Sequence, residues 1–334
     1  MPKPRAQLVS LEATPYYHCI SRCVRRAFLC GNDVLTGKSF DHRKQWIVDR
    51  LKQLTDIFAI DICSYGLMSN HFHVILHIDR PRARAWSEEQ VAARYECLFR
   101  ATVEQARQLP EAAWGAKVKR WRKRLWSLSW FMRCLNESIA RRANAEDNCT
   151  GRFWEGRFRS QALLDEGALL TCMAYVDLNP IRAGAATTLE ESEYTSIRER
   201  LLAAARGQIK AEGLVPFADQ AAGGDGGVVR LPVSFADYVE VVRWTAASVR
   251  EPTAEEVPRK IGAVLAELKL DGVGFVDSIR NFARRFFTMV GQVHKIDMES
   301  RRRGYRRRVG IPGARRLYRA TATSANPPVP VGRA

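Results

Sequence analysis

Hydrophobic positions recur along this chain with two different periods, and the switches between them outline its first half. "YYHCISRC" (16–23), rich in aromatic and β-branched residues, predicts a β-strand. In "HRKQWIVDRLKQLTDIF" (42–58), Trp46, Ile47, Leu51, Leu54 and Phe58 fall on one helical stripe. "AIDICSYGLMSNHFHVILHID" (59–79) carries two apolar runs parted by the turn pair Ser69-Asn70, which predicts a strand hairpin or a bent strand. Residues 80–127 are charged and helix-prone, with a break at Pro110, and "LSWFMRCLNESIARRAN" (128–144) is amphipathic again. "GRFWEGRFRSQALL" (151–164) reads as a glycine-punctuated loop entering a strand. "DEGALLTCMAYVDLNP" (165–180) opens with acids suited to a helix N-terminus and is expected to halt at Pro180.

Strand, helix, two strands, helices, strand, helix is the order of an α+β domain with an antiparallel sheet covered by helices. "AAGGDGGVV" is the clearest linker signal, and the linker is placed at 216–229. Beyond it, "FADYVEVVRWTAASV" and "FVDSIRNFARRFFTMVGQVHK" predict helices of a smaller basic C-terminal region, 230–319. The last residues, 320–334, are small, polar and proline-rich and are expected to be disordered.

Composition narrows the partner. The 334 residues suffice for two domains with a sizeable core, and 46% hydrophobic content excludes a disordered protein. No apolar run approaches the ~20 residues that span a bilayer. The N-terminal "MPKPRAQLVSLEATPYYHC" lacks the apolar centre of a signal peptide, so a cytoplasmic protein with no membrane partner is expected. Eight cysteines without a CxxC pair read as reduced thiols; Cys19 and Cys23 with His18 lack the paired spacing of a structural zinc site. Lys plus Arg number 53 against 36 Asp plus Glu, a formal charge of +17, which favours a polyanion through counterion release. The excess is concentrated in "KVKRWRKR" (117–124) and "RRRGYRRR" (301–308), each with an aromatic residue inside. Nucleic acid is the expected partner.

The chemistry-bearing residues lie elsewhere. Residues two apart in a strand share a face, so His71 and His73 project together while Phe72, Val74, Leu76 and Ile78 line the other side. His77 shares the histidine face but stands ~13 Å from His73 along the strand, too far to join it on one ion. Two imidazoles alone are more simply a partly exposed polar pair; as a cation site they need a third ligand. In "LLTCMAYVDLNPIRAG", Tyr175 and Asn179 lie one helical turn apart on one face, and the Asn179 amide could complete a His-His-Asn set. Read from that helix alone, Tyr175 is a core residue and Asn179 a helix terminator.

Taken together and in order, "YYHCISRCVRRAFL", "YGLMSNHFHVILHI", "GRFWEGRFRS" and "YVDLNPIRAG" resemble the single-tyrosine transposases of the histidine-hydrophobic-histidine nuclease superfamily. The resemblance is nearest to their REP-associated branch, relatives of the small insertion-sequence enzymes, and covers roughly residues 14–200. Ser69 stands where many relatives have proline, and Cys23 replaces a common glycine. The stretch 80–127 is longer than in compact members, and the chain after 225 lies outside the shared core. The resemblance implies a ferredoxin-like fold for a catalytic domain over 1–215, with a basic helical insertion at about 80–127. It further implies that His71, His73 and Asn179 bind Mg²⁺ or Mn²⁺ and that Tyr175 is the nucleophile. The reaction implied is breakage and rejoining of single-stranded, hairpin-forming DNA through a 5′-phosphotyrosine, by a nucleoid-associated monomer or homodimer.

Phosphate contacts are expected from Arg22, Arg157 and Arg159, from Lys119, Arg120, Arg122, Lys123 and Arg124, and from Arg301, Arg302, Arg303, Arg306, Arg307 and Arg308. Trp121, Trp126 and Trp154 are candidates for stacking unpaired bases, although tryptophan more often packs inside. Two rival readings use the same charge: a sequence-specific DNA-binding protein or repressor without catalysis, and a metal-dependent RNA-binding or RNA-cleaving protein. The second lacks any RNP-type sequence.

Overall fold

A computed structural model of the chain describes residues 5–24, 29–32, 37–220, 229–250 and 256–318. Most of the expected linker (221–228) and the expected tail lie outside the described residues. The chain opens with the short helix α1 (Arg5–Leu8) and continues β1 (Tyr16–Arg22), α2 (His42–Ile57), β2 (Ile60–Leu67) and β3 (His71–Ile78). Next come α3 (Arg80–Ala85), α4 (Glu88–Ala106), α5 (Glu111–Leu125), α6 (Leu128–Glu146), β4 (Arg159–Leu163) and α7 (Glu166–Asp177). The remainder is α8 (Asn179–Arg182), α9 (Ser196–Ala205), α10 (Phe235–Arg250), α11 (Arg259–Glu267), α12 (Gly272–Arg280), α13 (Phe282–Arg285), β5 (Met289–Val290), α14 (Val293–Arg302) and α15 (Ile311–Leu317).

The sheet order is β2-β3-β1-β4-β5. Its first four strands are antiparallel throughout, and with α2 between β1 and β2 and α6 before β4 they make the βαββαβ arrangement of a ferredoxin-like fold. Ser69 and Asn70 do form the turn of the β2–β3 hairpin, with the Met68 N–H donating to the His71 carbonyl at 2.9 Å. The sheet is mixed, however, because β5 joins β4 in parallel. Ala162 N donates to Thr288 O (3.0 Å) and Leu164 N to Val290 O (2.8 Å), so β5 covers a β4 edge that would otherwise be unpaired. The sequence predicts one helix across 275–295; the chain instead breaks at Phe286, whose backbone is extended, and enters this strand.

Each face of the sheet has its own helical layer. Phe72 meets Trp154 edge-on at 5.7 Å, and the Trp154 indole donates to the Asn136 carbonyl of α6 (2.9 Å). On that side α2 and α6 join through Phe58 against Phe131 (5.4 Å) and through buried Arg43, which pairs with Glu146 and Asp147. Helices α3, α4 and α5 build on this layer, with Tyr95 stacked on Trp121 at 4.9 Å. The opposite face carries α7, buried from Gly167 to Asp177. Gly66 lets α7 approach: a Cβ there would lie 2.9 Å from the Val176 carbonyl oxygen.

Residues after 229 close over α7 rather than standing apart from the sheet. At its start, Asp165 caps Ala168 N (2.9 Å) and also accepts from Gln292 N (2.9 Å) and the Tyr318 hydroxyl. At its end, Asp177 accepts from Ser196 Oγ (2.7 Å), Ile197 N (3.1 Å) and the Tyr238 hydroxyl of α10. A helix enclosed on all sides must be apolar all round, as "ALLTCMAYV" is. Pro180 does not end helical structure; α7 stops at Asp177, and after Leu178 the chain turns helical again as α8, with Pro180 in its first turn, where a missing N–H costs nothing.

Candidate active site

The β1–β3 register sets Ile20 opposite His73 and Arg22 opposite His71, and α7 lies over the same face. His71 and His73 face each other edge-on, 4.9 Å apart between ring centres. Tyr175 stands 5.6 Å from His73, also edge-on, is 7% exposed, and stacks on Phe282 of α13 at 4.4 Å. Asn179 follows at the start of α8 and is buried. His77 turns to Asp61 instead (3.0 Å), apart from the other two.

Hydrogen bonding fixes which ring nitrogen carries each proton. Gln161 Nε2 donates to the Phe286 carbonyl (2.7 Å), which directs Gln161 Oε1 at His18 Nδ1 (2.6 Å). His18 therefore donates from Nδ1 and accepts at Nε2, where His73 Nδ1 donates at 2.8 Å. That leaves His73 Nε2 as a bare lone pair, buried and without any hydrogen-bond partner. Asn70 Oδ1 likewise accepts from His71 Nδ1 (2.6 Å) and frees His71 Nε2. Asn179 Nδ2 is also buried without a partner, and half a turn of the amide would put Oδ1 in its place. Two imidazole lone pairs with backed Nδ1–H groups, together with the Asn179 amide beside Tyr175, fit a divalent cation that takes N and O donors. No cluster of three His, Cys, Asp or Glu able to hold a metal occurs among the described residues.

Electrostatics agree with neutral rings. Burial pushes His18 down to about 4; burial and then the Arg22 charge do the same to His71; His73 is held well below the ordinary value, chiefly by burial. Because the unfolded chain takes up these protons near pH 6.5 and the folded one only near 4, stability is full above about 6.5 and falls as pH drops toward 4. For the fully buried His18 the loss across that window is on the order of 3 kcal/mol. Denaturant midpoints of metal-free protein are expected to fall across that window; a flat profile would show that the rings take up protons as readily in the folded chain as in the unfolded one. Tyr175 is raised by burial, opposed by the Arg182 guanidinium, which lies 4.8 Å over its ring, and by Asn179.

The basic residues divide by location. Arg22 borders His71, and exposed Arg157 and Arg159 line a cavity of about 650 Å³ together with Tyr175 and His18. The 119–124 cluster lies on α5, on the helical layer across the sheet, away from the histidines. There Lys119, Arg120 and Lys123 are exposed, but Arg122 donates to the Ala83 carbonyl (3.0 Å) and Arg124 covers Trp130 at 4.1 Å. In the second cluster Arg301 and Arg308 pair with Asp297, and Arg302 and Arg303 with Glu299. The Arg303 side chain is 1% exposed, which removes it from any phosphate; Arg306 and Arg307 are exposed. Trp121 and Trp154 are core residues and Trp126 is half-buried, so stacking on the first two is excluded.

Gln161, Arg182 and Phe282 escape sequence reasoning, and His18 enters it only with Cys19 and Cys23 as a zinc site. Arg182 alone lies close in sequence, seven residues after Tyr175. The other three are brought in by strand pairing and by the C-terminal region. No helix among the described residues is long and apolar enough to cross a membrane. No protein-family model matches the chain, and no curated protein does. Among solved structures it is similar to a REP-associated tyrosine transposase bound to a REP hairpin, at 12% identity and a TM-score of 0.35, over 63% of this chain and 93% of that one.

Proposed function

We propose that this protein is a divalent-cation-dependent DNA strand transferase that opens and rejoins single-stranded, hairpin-forming DNA through Tyr175. The observation that carries this reading is the approach of Tyr175 on α7 to the paired His71 and His73 on β3, with the His73 Nε2 lone pair buried and unpartnered and Asn179 reaching the tyrosine from the start of α8. A cation held by His71, His73 and Asn179, Mg²⁺ or Mn²⁺, would supply Lewis-acid polarisation of the scissile phosphate. Tyr175 Oη attacks phosphorus, the bond to the 3′ oxygen breaks, and the phenolic proton is lost as the departing 3′ oxygen gains one. The products are a 5′-phosphotyrosine and a 3′-OH. A phenol with a pKa ordinarily near ~10 is also an acceptable leaving group, so an incoming 3′-OH reverses the step without a nucleotide cofactor. Arg182 favours the phenolate against the cost of burial, and Arg22, Arg157 and Arg159 hold neighbouring phosphates.

The test incubates end-labelled hairpins from DNA flanking the gene with Mn²⁺ or Mg²⁺ and looks for an SDS-resistant protein–DNA adduct. Wild type with metal is expected to form it, and neither His71→Ala nor metal-free protein is. Tight binding without an adduct on every hairpin would instead support a DNA-binding protein without cleavage, a reading favoured by the near-complete burial of Tyr175 under Phe282. The relay behind His73 gives a separate expectation. His18→Ala and Gln161→Leu should each weaken Mn²⁺ binding by about 10- to 100-fold, read by calorimetry or electron paramagnetic resonance. Unchanged affinity in both would mean that the relay has no part in holding the cation.

A further inference from the structure

The cavity beside Tyr175 runs from His18 and Gln161 to the segment that joins α13 to β5. Phe287, between α13 and β5, is 57% exposed, and no other Phe, Tyr or Trp side chain among the described residues is exposed. A lone exposed apolar residue means little by itself; its position gives it meaning. Phe287 and Thr288 line the 650 Å³ cavity that holds Tyr175, and both also line a second of about 640 Å³ with Tyr305, Arg306 and Arg307. Phe287 borders a third, of about 490 Å³, with Arg284 and Arg308. No Asp or Glu lines any of the three.

An acid-free, arginine-walled concave surface with an aromatic ring standing in it suits a polyanion that carries flat π faces. A duplex keeps its bases stacked on one another and offers none to such a ring; an unpaired strand offers each one in turn. We propose that Phe287 is the stacking platform for an unpaired DNA base beside the phosphate at Tyr175. The strand runs from Arg157 and Arg159 across Phe287 to Arg306 and Arg307. The proposal rests on the reading of the Tyr175 site as one that acts on DNA, and adds that the C-terminal region recognises single-stranded character rather than only contributing charge.

The test uses full-length protein in the Tyr175→Phe background, so that no cleavage occurs. Two DNA hairpins are compared, one blunt and one with a single-stranded extension carrying 2-aminopurine at successive positions. Phe287→Ala is expected to weaken binding of the extended hairpin by about 5- to 100-fold and to abolish fluorescence quenching at one or two positions. Binding of the blunt hairpin should not change, and Phe287→Trp should restore both signals. The side chain is exposed, so its truncation leaves the core intact. Equal losses on both hairpins, no loss on either, or a response to an RNA extension but not to DNA would each overturn the proposal. Adduct formation by wild type is scored in parallel. No adduct with Phe287-dependent binding intact defeats the transferase reading alone, whereas an adduct without any Phe287 effect defeats the platform alone.

Discussion

Tyr175→Phe is expected to reduce the covalent DNA adduct by on the order of 10⁴-fold or more while leaving hairpin affinity unchanged. The separation is sharp because the ring is held by contacts that phenylalanine keeps: Phe282 at 4.4 Å and His73 at 5.6 Å. Only the hydroxyl is lost, together with the influence of Arg182 and Asn179 on it, which costs about 1 kcal/mol of stability. Adduct formation on hairpins and thermal unfolding, measured on the same preparation, check both halves. An adduct that survives the substitution would assign the nucleophile to another residue.

The largest effect on stability is expected at Asp177, two residues away and on the other side of the same helix. Its carboxylate is fully buried and accepts from Ser196, the Ile197 amide and Tyr238, with the buried guanidinium of Arg200 close enough to feel its charge. Arg200 itself donates to the Cys63 and Val215 carbonyls, both at 3.0 Å. Asp177→Ala leaves the buried Ile197 N–H and Tyr238 hydroxyl without an acceptor, takes the shared acceptor from Ser64 and Ser196, and removes the counter-charge of a buried cation, a loss of about 3–5 kcal/mol. Tyr238→Phe removes one hydrogen bond and should cost about 1 kcal/mol. Denaturant unfolding decides. A loss below that of Tyr238→Phe would show that the α7 end is held by packing alone. Asp177 ties β2, α9 and α10 to the helix that carries Tyr175, so residues far along the chain set that tyrosine's position.

Several parts of this design were legible in the sequence. Period-two alternation in "HFHVILHI" was enough to place His71 and His73 on one face and Phe72 and Val74 on the other, because a strand allows no other parity. Period-3.6 patterning located α2, α6 and α7 to within a few residues, since the amphipathic stripe or the buried helix leaves its mark in composition. Charge runs were visible, but their use was not. Arg303 looks like its neighbours in "RRRGYRRR", and only the fold shows it locked against Glu299. The 119–124 cluster is as basic as the C-terminal one, yet lies across the sheet from the histidines.

By itself, then, the sequence determined local matters: the strands and helices of the first half, which residues share a face, and that the chain carries a large positive charge. These follow from backbone geometry and formal charge, which act over a few residues. The tertiary structure decided the rest: the β1–β3 register that sets His18 against His73, the β4 contact that brings Gln161 behind it, and the parallel β5 strand. It also placed Phe282, Phe286 and Phe287 around Tyr175 from more than 100 positions further along the chain. Such contacts depend on which edges and faces remain to be covered once the sheet has formed, and no short-range pattern encodes that competition.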